Sequence, residues 1–158
     1  MTDEEYMQEA IKEAKKAASI DEVPVGCVIV KDGEIIARAH NMKEHKQNVI
    51  AHAEMLAIKQ ASLELHNWHL DGCDMYVTLE PCTMCIGAAI NARIKRLVYG
   101  ASDEKTGACG SVLNIPEEYK FNHIVEIEKN VEEEKCKEIL QTFFKELRKR
   151  KEKNNGNK

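Results

Sequence analysis

The chain has 158 residues, of which 43% are hydrophobic and 32% are charged, and its formal net charge at pH 7 is −4. This length suits one domain with a buried core, and the composition suits a soluble globular protein. There is no basic segment followed by an apolar run at the N-terminus, and no stretch reaches the roughly 18 apolar residues of a membrane span. We therefore expect a cytoplasmic protein without a membrane anchor, whose six cysteines are thiols or metal ligands rather than disulfides.

The first predicted element is a helix over about residues 2–18. Thr2 and Glu5 have the spacing of a capping box, and the acidic residues of this first turn favour the positive end of a helix. Apolar residues recur every three or four positions along the segment, so one face of the helix is expected to pack in the core.

A β-hairpin is predicted next. Val25–Val30 is an apolar run rich in β-branched residues, and Ile35–Ala39 follows it across the turn dipeptide Asp32-Gly33. The polar run 42–49 after the hairpin is predicted to be a loop.

The middle of the chain alternates helices and strands. One helix is predicted from about His52 to Leu65, and another from Pro81, at its first helical position, to about Ala92. Strands are predicted at Met75–Leu79 and Arg96–Tyr99. This alternation is typical of a layered α/β fold, and the initial hairpin makes its sheet mixed.

The C-terminal part predicts a fifth strand and a long helix. The strand is placed at His123–Ile127, and Asn130 with Glu133 is predicted to start the helix. The apolar stripe of this helix consists of Cys136, Ile139, Leu140, Phe143 and Leu147. We expect residues 1–153 to form a single domain and residues 154–158 to be a disordered tail.

The C-terminal end of the chain is basic. Residues 145–158 contain seven Lys/Arg and two Glu, so this segment carries +5 and residues 1–144 carry −9. A basic end on an acidic body is consistent with a local contact to phosphate. Basic side chains also suit a solvated helix C-terminus, and charge alone favours this second interpretation.

The residues with the clearest chemistry are His52, Glu54, Cys82 and Cys85. One imidazole and two thiols make three zinc ligands, whereas a closed structural zinc site would need four. The fourth position is then open for a water, whose pKa zinc lowers to about 7, and Glu54 is left unliganded to move protons. The two cysteines fall in the first turn of a predicted helix, where the helix dipole favours the thiolates that bind metal.

The pattern His-x-Glu followed by Pro-Cys-x-x-Cys resembles the signature of zinc-dependent nucleoside and nucleobase deaminases. Glu22–Gly26, Thr78–Cys82 and Asp103–Gly107 resemble the bacterial tRNA-specific adenosine deaminase family, and the likeness covers about residues 2–150. The resemblance implies a three-layer α/β/α cytidine deaminase-like fold with a central mixed five-stranded sheet, and a homodimer with one Zn²⁺ per subunit. It also implies deamination of adenosine to inosine at the wobble (first anticodon) position of a tRNA anticodon stem-loop, by a zinc-bound hydroxide.

The same resemblance implies roles for individual residues, with Glu54 as the proton shuttle. Asn41 would hydrogen-bond the extruded nucleoside, and the backbone N–H of Ala53 would contact the attacked group. Val25 and Leu79 would line the pocket. From the residues alone, Asn41 at the end of a predicted strand is a turn-closing asparagine.

Four further residues are implied to contact RNA. Asp103 and Lys105 would approach the anticodon backbone and ribose from a loop flanked by glycines. Phe144 and Arg148 would meet the anticodon loop, because aromatic side chains stack on bases and arginine pairs with phosphate. From the residues alone this loop is an ordinary solvated one, and the neighbouring Phe143 belongs to the apolar stripe.

Two other functions stay open at this point. A free nucleobase or nucleoside deaminase, acting on guanine or cytidine, would use the same metal chemistry, although the basic terminal helix and Asp103–Gly107 favour tRNA. A non-catalytic, zinc-held RNA-binding module would have no need of an unliganded carboxylate at Glu54. Of the six cysteines, the four outside the Cys-x-x-Cys pair are expected to be small buried hydrophobes.

Overall fold

The computed structural model describes residues 1–118 and 120–156 of the chain. Its elements, in chain order, are α1 (Asp3–Ser19), β1 (Gly26–Lys31), β2 (Glu34–His40), α2 (Lys43–Lys46), α3 (Ala53–Leu65), β3 (Cys73–Leu79), α4 (Thr83–Asn91), β4 (Arg96–Ala101), a 3-10 turn (Ile115–Glu117), β5 (Glu126–Glu128) and α5 (Glu133–Gly156).

The five strands form one mixed sheet in the order β2-β1-β3-β4-β5. β1 pairs antiparallel with both β2 and β3, whereas β3, β4 and β5 run parallel. The carboxyl ends of β3 and β4 therefore lie side by side, at the edge of the sheet where α/β proteins usually place a ligand. The predicted hairpin and the mixed sheet are confirmed.

Helices cover both faces of this sheet, which confirms the three-layer α/β/α fold. Buried residues of α3 and α4 pack on one face, and those of α1 pack with Cys136 of α5 on the other. The apolar run of β1 is explained by burial on both faces of the sheet. Cys27 and Ile29 pack in the first cluster, and Val28 and Val30 pack in the second.

α1 lies very close to the sheet at Gly26. A Cβ atom added to Gly26 would lie 2.0 Å from the carbonyl oxygen of Ala10 and 2.4 Å from the backbone nitrogen of Ala14. Only a residue without a side chain allows the helix backbone to contact the strand backbone here. At the start of the same helix, Thr2 Oγ1 accepts the backbone N–H of Glu5, as the capping box predicts.

Two boundaries near the site differ from the predictions. The predicted loop 42–49 contains α2, a single helical turn that ends where Gln47 takes a positive φ of 46°. Pro81 precedes α4 instead of starting it, because Cys82 has the extended backbone of an N-cap residue and the first helical residue is Thr83.

The C-terminal elements are shifted relative to the predictions. β5 pairs with β4 only over residues 126–128, so the beginning of the predicted strand 123–127 lies outside the sheet. Asn130 and Glu132 have φ values of 64° and 56°, which no α-helix accommodates, and α5 begins only at Glu133.

α5 continues through residues 154–156, for which a disordered tail is predicted from the sequence. Lys, Arg and Glu of the preceding turns are good helix formers, and the Lys149 ammonium lies 3.8 Å from the Glu146 carboxylate, which supports the helix beyond the core. Residues 157 and 158 lie outside the described part of the chain. Within that part, no helix combines the length with the apolar content that a bilayer span requires.

Candidate active site

His52, Cys82 and Cys85 meet at the N-terminal ends of two helices. His52 is the N-cap of α3, Cys82 is the N-cap of α4, and Cys85 lies in the first turn of α4. His52 Nδ1 lies 3.8 Å from Cys82 Sγ and 3.6 Å from Cys85 Sγ. All three candidate ligand atoms lie within 4.8 Å of one another, so the predicted set is brought together around one point that His52 faces with Nδ1.

The environment favours a thiolate at Cys82. The pKa of Cys82 is lowered to about 4. The hydrogen bond from Cys85 is the largest cause, and the hydrogen bond with His52 lowers the pKa further. The hydrogen bond with Cys82 in turn raises the pKa of the His52 imidazole. A negative sulfur beside an imidazole and a second thiol is a donor set suited to a borderline-soft metal ion such as Zn²⁺.

Glu54 lies beside this cluster as the second residue of α3. Its side chain is buried, with 4% of the residue exposed, and burial raises the pKa of its carboxyl. A raised pKa brings a carboxyl closer to neutral pH, where it can both accept and donate a proton. This is the property that the predicted proton shuttle requires.

A cavity of about 140 Å³ opens onto the cluster and brings together residues from most of the chain. Its lining includes all four predicted substrate residues, Val25, Asn41, Ala53 and Leu79, together with His52, Glu54, Cys82 and Asp103. Sequence reasoning did not single out the remaining lining residues, which are Val23, Lys43, Glu80 and Thr106. Three of these four lie inside the segments quoted for the family resemblance; Lys43 had no such signal.

Asn41 supports the wall of this cavity. Its amide nitrogen donates to the carbonyl of Val23 at 3.3 Å, and its amide oxygen accepts the backbone N–H of Lys43 at 3.1 Å. The side chain therefore closes a turn, as its position in the sequence indicates. A primary amide has two hydrogens and two lone pairs, so one donor and one acceptor position are left for a ligand.

The loop that carries Asp103 and Lys105 is held from within. The Asp103 carboxylate accepts the backbone N–H groups of Lys105 and Thr106, at 3.0 and 3.2 Å, and the Thr106 hydroxyl at 2.8 Å. The Lys105 side chain is exposed. The Asp103 carboxylate thus shapes the loop, and the lysine extends from it.

Phe144 and Arg148 lie on a surface continuous with the cavity. A groove that includes Asp103, Lys105 and Phe144 shares Val23 and Leu79 with the cavity lining, and a further groove joins Lys105, Phe144 and Arg148. The neighbouring Phe143 is buried, with 8% exposed against 40% for Phe144. The periodicity that assigned Phe143 to the core is therefore confirmed. A separate groove of about 550 Å³ between α1 and α5 contains none of the predicted site residues.

Comparisons with known proteins identify deaminases as relatives of this chain. A model of the MafB19-like deaminases matches residues 1–148. The tRNA-specific adenosine deaminase of Bacillus subtilis (strain 168) is 54% identical over 149 residues, which cover 94% of this chain and 92% of that protein.

Solved structures point the same way. One from a study of A-to-I editing by tRNA:A34 deaminases at the wobble position of transfer RNA has a TM-score of 0.83 and 43% identity, over 86% of this chain and 99% of the other. The guanine deaminase from Bacillus subtilis has a TM-score of 0.62 and 38% identity, over 65% of this chain and 66% of the other. From its sequence matches and its fold, the chain belongs to the deaminases described by the MafB19-like model and, among them, to the tRNA-specific adenosine deaminase family.

Proposed function

We propose that this protein hydrolyses adenosine to inosine at the first anticodon position of tRNA and releases ammonia. The observation that carries this proposal is the buried Glu54 beside the His52, Cys82 and Cys85 cluster, at the base of a cavity in a chain 54% identical to a tRNA-specific adenosine deaminase. The reaction replaces the C6 amino group of adenine by the oxygen of a water molecule.

The donor set fits one Zn²⁺ per chain. An imidazole nitrogen and two sulfurs converge within 4.8 Å, and zinc prefers nitrogen and sulfur ligands. With three protein ligands, a bound Zn²⁺ would have a coordination position left for water and would lower the pKa of that water to about 7. His52 Nδ1 and the sulfurs of Cys82 and Cys85 would hold the ion.

Glu54 carries out the proton transfers. Its carboxylate takes a proton from the attacking water and passes it to the ring nitrogen N1 of adenine, and the second water proton leaves with ammonia by the same carboxyl. A group with a pKa raised by burial serves both steps, and such general acid–base help accelerates reactions by about a hundred- to ten-thousandfold.

The cavity selects a base that has left its stack. A volume of about 140 Å³ has room for a single base but not for a base pair, so the target must be extruded from its helix or loop. Val25 and Leu79 flank the base, while Asn41 and the Ala53 N–H supply polar contacts. An anticodon loop is unpaired already, which lowers the cost of extrusion.

The surface next to the cavity would hold the anticodon stem-loop. Lys105 and Arg148 provide charge for the phosphates, and Phe144, which is 40% exposed, provides an aromatic face for an unpaired base. Asp103 keeps the loop that carries Lys105 in shape. The basic end of α5 extends this surface, and a tRNA substrate would place the reaction in the cytoplasm.

We also propose that two copies of this chain associate. Large apolar side chains are exposed on both segments flanking the site, including Val49 and Ile50 before His52, and Val112 and Leu113 after the Asp103 loop. Burying them in a homodimer would remove this apolar surface from water. Sedimentation at the mass of two chains would support the dimer, and a monomer at micromolar concentration would count against it. We expect residues 1–153 of each copy to unfold as one unit.

The deciding experiment offers zinc-loaded protein two kinds of substrate. One is a short RNA stem-loop with adenosine at the first anticodon position, and the others are free adenosine, cytidine and guanine. We expect inosine in the stem-loop and no ammonia from the free compounds, because only the stem-loop engages the grooves next to the cavity. Ammonia from guanine with an unedited stem-loop would overturn the tRNA proposal and assign the protein to nucleobase deamination.

The proposed RNA surface predicts a change in salt dependence. Replacing Lys105 or Arg148 by alanine should weaken stem-loop binding and lower the slope of log affinity against log salt by about 0.7 to 0.9 for each phosphate that the variant no longer neutralises. Lys59→Ala is the matched control, because Lys59 is exposed on α3 and lies outside the cavity and grooves proposed to bind RNA. Unchanged affinity and slope in both variants would show that RNA binds elsewhere.

A further inference from the structure

Glu80 is a buried carboxylate at the end of β3 whose role is not explained by the chemistry above. Only 2% of the residue is exposed, although a carboxylate is costly to bury unless it is well hydrogen-bonded. Its Oε1 accepts the backbone N–H of Asp103 at 3.1 Å and the Ser111 hydroxyl, and its Oε2 accepts the N–H groups of Cys109 and Ser111 at 2.9 and 3.1 Å. In the described residues, all four donors are neutral groups of a single loop.

This loop is also attached to the backbone around Glu80. The Glu80 N–H donates to the carbonyl of Ala101 at 2.8 Å, and the Ala108 N–H donates to the carbonyl of Pro81 at 2.9 Å. Residues 101–111 therefore wrap around the segment that leads directly into Cys82. The wall of the cavity and the metal-ligand segment are joined as one unit.

Gly107 gives independent evidence that the carboxylate and the loop fit closely. A Cβ atom added to Gly107 would lie 2.4 Å from the Glu80 carboxylate and 2.5 Å from the carbonyl oxygen of Asp103. A side chain at Gly107 would push the loop away from Glu80. The sequence thus supplies both the acceptor and the space that the contact needs.

We propose that Glu80 is a positioning residue for substrate specificity, which holds the Asp103–Ser111 loop against the metal-ligand segment so that the cavity rim matches an RNA loop. This inference rests on the proposed function, since it takes the Asp103 loop as the wall that meets the RNA backbone. A loop ordered before the substrate arrives does not have to be ordered on binding, and this increases affinity. Glu80 lies in the cavity lining, but both of its carboxylate oxygens accept hydrogen bonds from the loop, so its proposed effect on the substrate runs through the loop.

The variant Glu80→Gln distinguishes the hydrogen bonds made by Oε1 of this carboxylate from those made by Oε2. With the amide oxygen in place of Oε2, the N–H groups of Cys109 and Ser111 keep an acceptor. The amide nitrogen then takes the place of Oε1, where the Ser111 hydroxyl can accept its hydrogen but the Asp103 N–H faces another donor. The substitution should therefore release the loop at Asp103 and leave the rest in place.

The first test compares kinetics on the anticodon stem-loop. For zinc-loaded Glu80→Gln we expect KM to rise about tenfold, with kcat within about threefold of wild type and zinc content unchanged. The released loop must then be ordered on binding, and the loss of one hydrogen bond to a charged group is worth about this factor. Glu64→Gln is the matched control, since Glu64 is exposed on α3 and the substitution removes the same negative charge. An unchanged KM in Glu80→Gln, or a fall in kcat alone, would overturn the proposal.

A second readout does not depend on activity. Amide hydrogen exchange at Asp103 should be at least about tenfold faster in Glu80→Gln than in wild type, because that N–H loses its acceptor. Equal exchange rates would overturn the proposed anchoring even if the protein deaminates no RNA at all. Wild-type protein that edits no stem-loop would instead overturn the proposed function, and the exchange result would still decide whether Glu80 holds the loop.

Coupling to Lys105 distinguishes positioning from a general loss of stability. If Glu80 acts by placing the loop, Lys105→Ala should raise KM less in the Glu80→Gln background than in wild type. Effects that multiply independently would overturn the proposal. Should Glu80→Gln fail to fold, Ser111→Ala replaces it, because Ser111 is exposed and loses only its hydroxyl contact; we then expect KM to rise about two- to threefold, and no change would count against Glu80.

Discussion

Glu54→Gln is expected to lower the rate of deamination by at least about a hundredfold, and up to about ten-thousandfold, while zinc content and stem-loop affinity stay at the wild-type level. The amide has the shape of the carboxyl but cannot shuttle a proton between water, ring nitrogen and leaving amine. Burial already raises the pKa of this carboxyl, so a neutral amide at the same position should be tolerated by the fold. Single-turnover kinetics gives the rate of deamination. Metal analysis and RNA binding on the same preparation give the zinc content and the stem-loop affinity.

Glu64→Gln again provides the control, because it makes the same chemical change on the exposed face of α3. We expect its turnover to match wild type. A Glu54→Gln enzyme with wild-type turnover would contradict the proton-shuttle role. A loss of zinc or RNA binding together with activity would show that Glu54 is structural rather than catalytic.

Cys82→Ala is expected to remove most of the zinc and to lower deamination by more than about a thousandfold. Two remaining ligands do not hold zinc tightly, and Cys82, with its pKa lowered to about 4, is the thiol that is deprotonated at neutral pH and ready to bind metal. Zinc content should fall from about one per chain to a small fraction. The midpoint of thermal unfolding should no longer rise when zinc is added, because ligand binding stabilises only a folded protein that binds it.

The matched control for this prediction is Cys136→Ala. Cys136 is a buried residue of α5 and packs on the other face of the sheet, so the change should lower stability slightly and leave the zinc content unaltered. Treatment of wild type with a chelator should abolish activity, and added zinc should restore it. Full activity in protein stripped of zinc would rule out the metal mechanism.

The three candidate ligands lie at the N-terminal ends of helices, and this placement has an electrostatic reason. The N-termini of α3 and α4 each present partial positive charge, which stabilises the Cys82 thiolate before a metal ion is bound. The carboxyl end of β3 leads through Glu80 and Pro81 directly to Cys82 at the N-terminus of α4. The chain thus brings a candidate metal-ligand cluster, the proposed proton carrier and a cavity together at one edge of the sheet.

Several features of this protein can be determined from its sequence. The chemistry of His52, Glu54, Cys82 and Cys85 depends on residue type and local spacing, so the pattern predicts which side chains meet. The strands are visible as β-branched runs, and the Asp32-Gly33 turn has a local signature. The burial of Phe143 follows from helical periodicity alone.

Other features depend on contacts between distant segments, which no local pattern contains. The roles of Glu80 and Asn41 are set by backbone N–H and carbonyl groups that turns elsewhere in the chain bring within about 3 Å. Capping residues alone place the start of α5 too early, because positive φ values at Asn130 and Glu132 are imposed where the chain leaves the sheet. Local sequence determines which groups can react, whereas the tertiary structure decides which backbone groups hydrogen-bond a buried carboxylate or amide. The physical reason is that an unpaired polar group is costly to bury, so it pairs with any suitable partner that the fold provides.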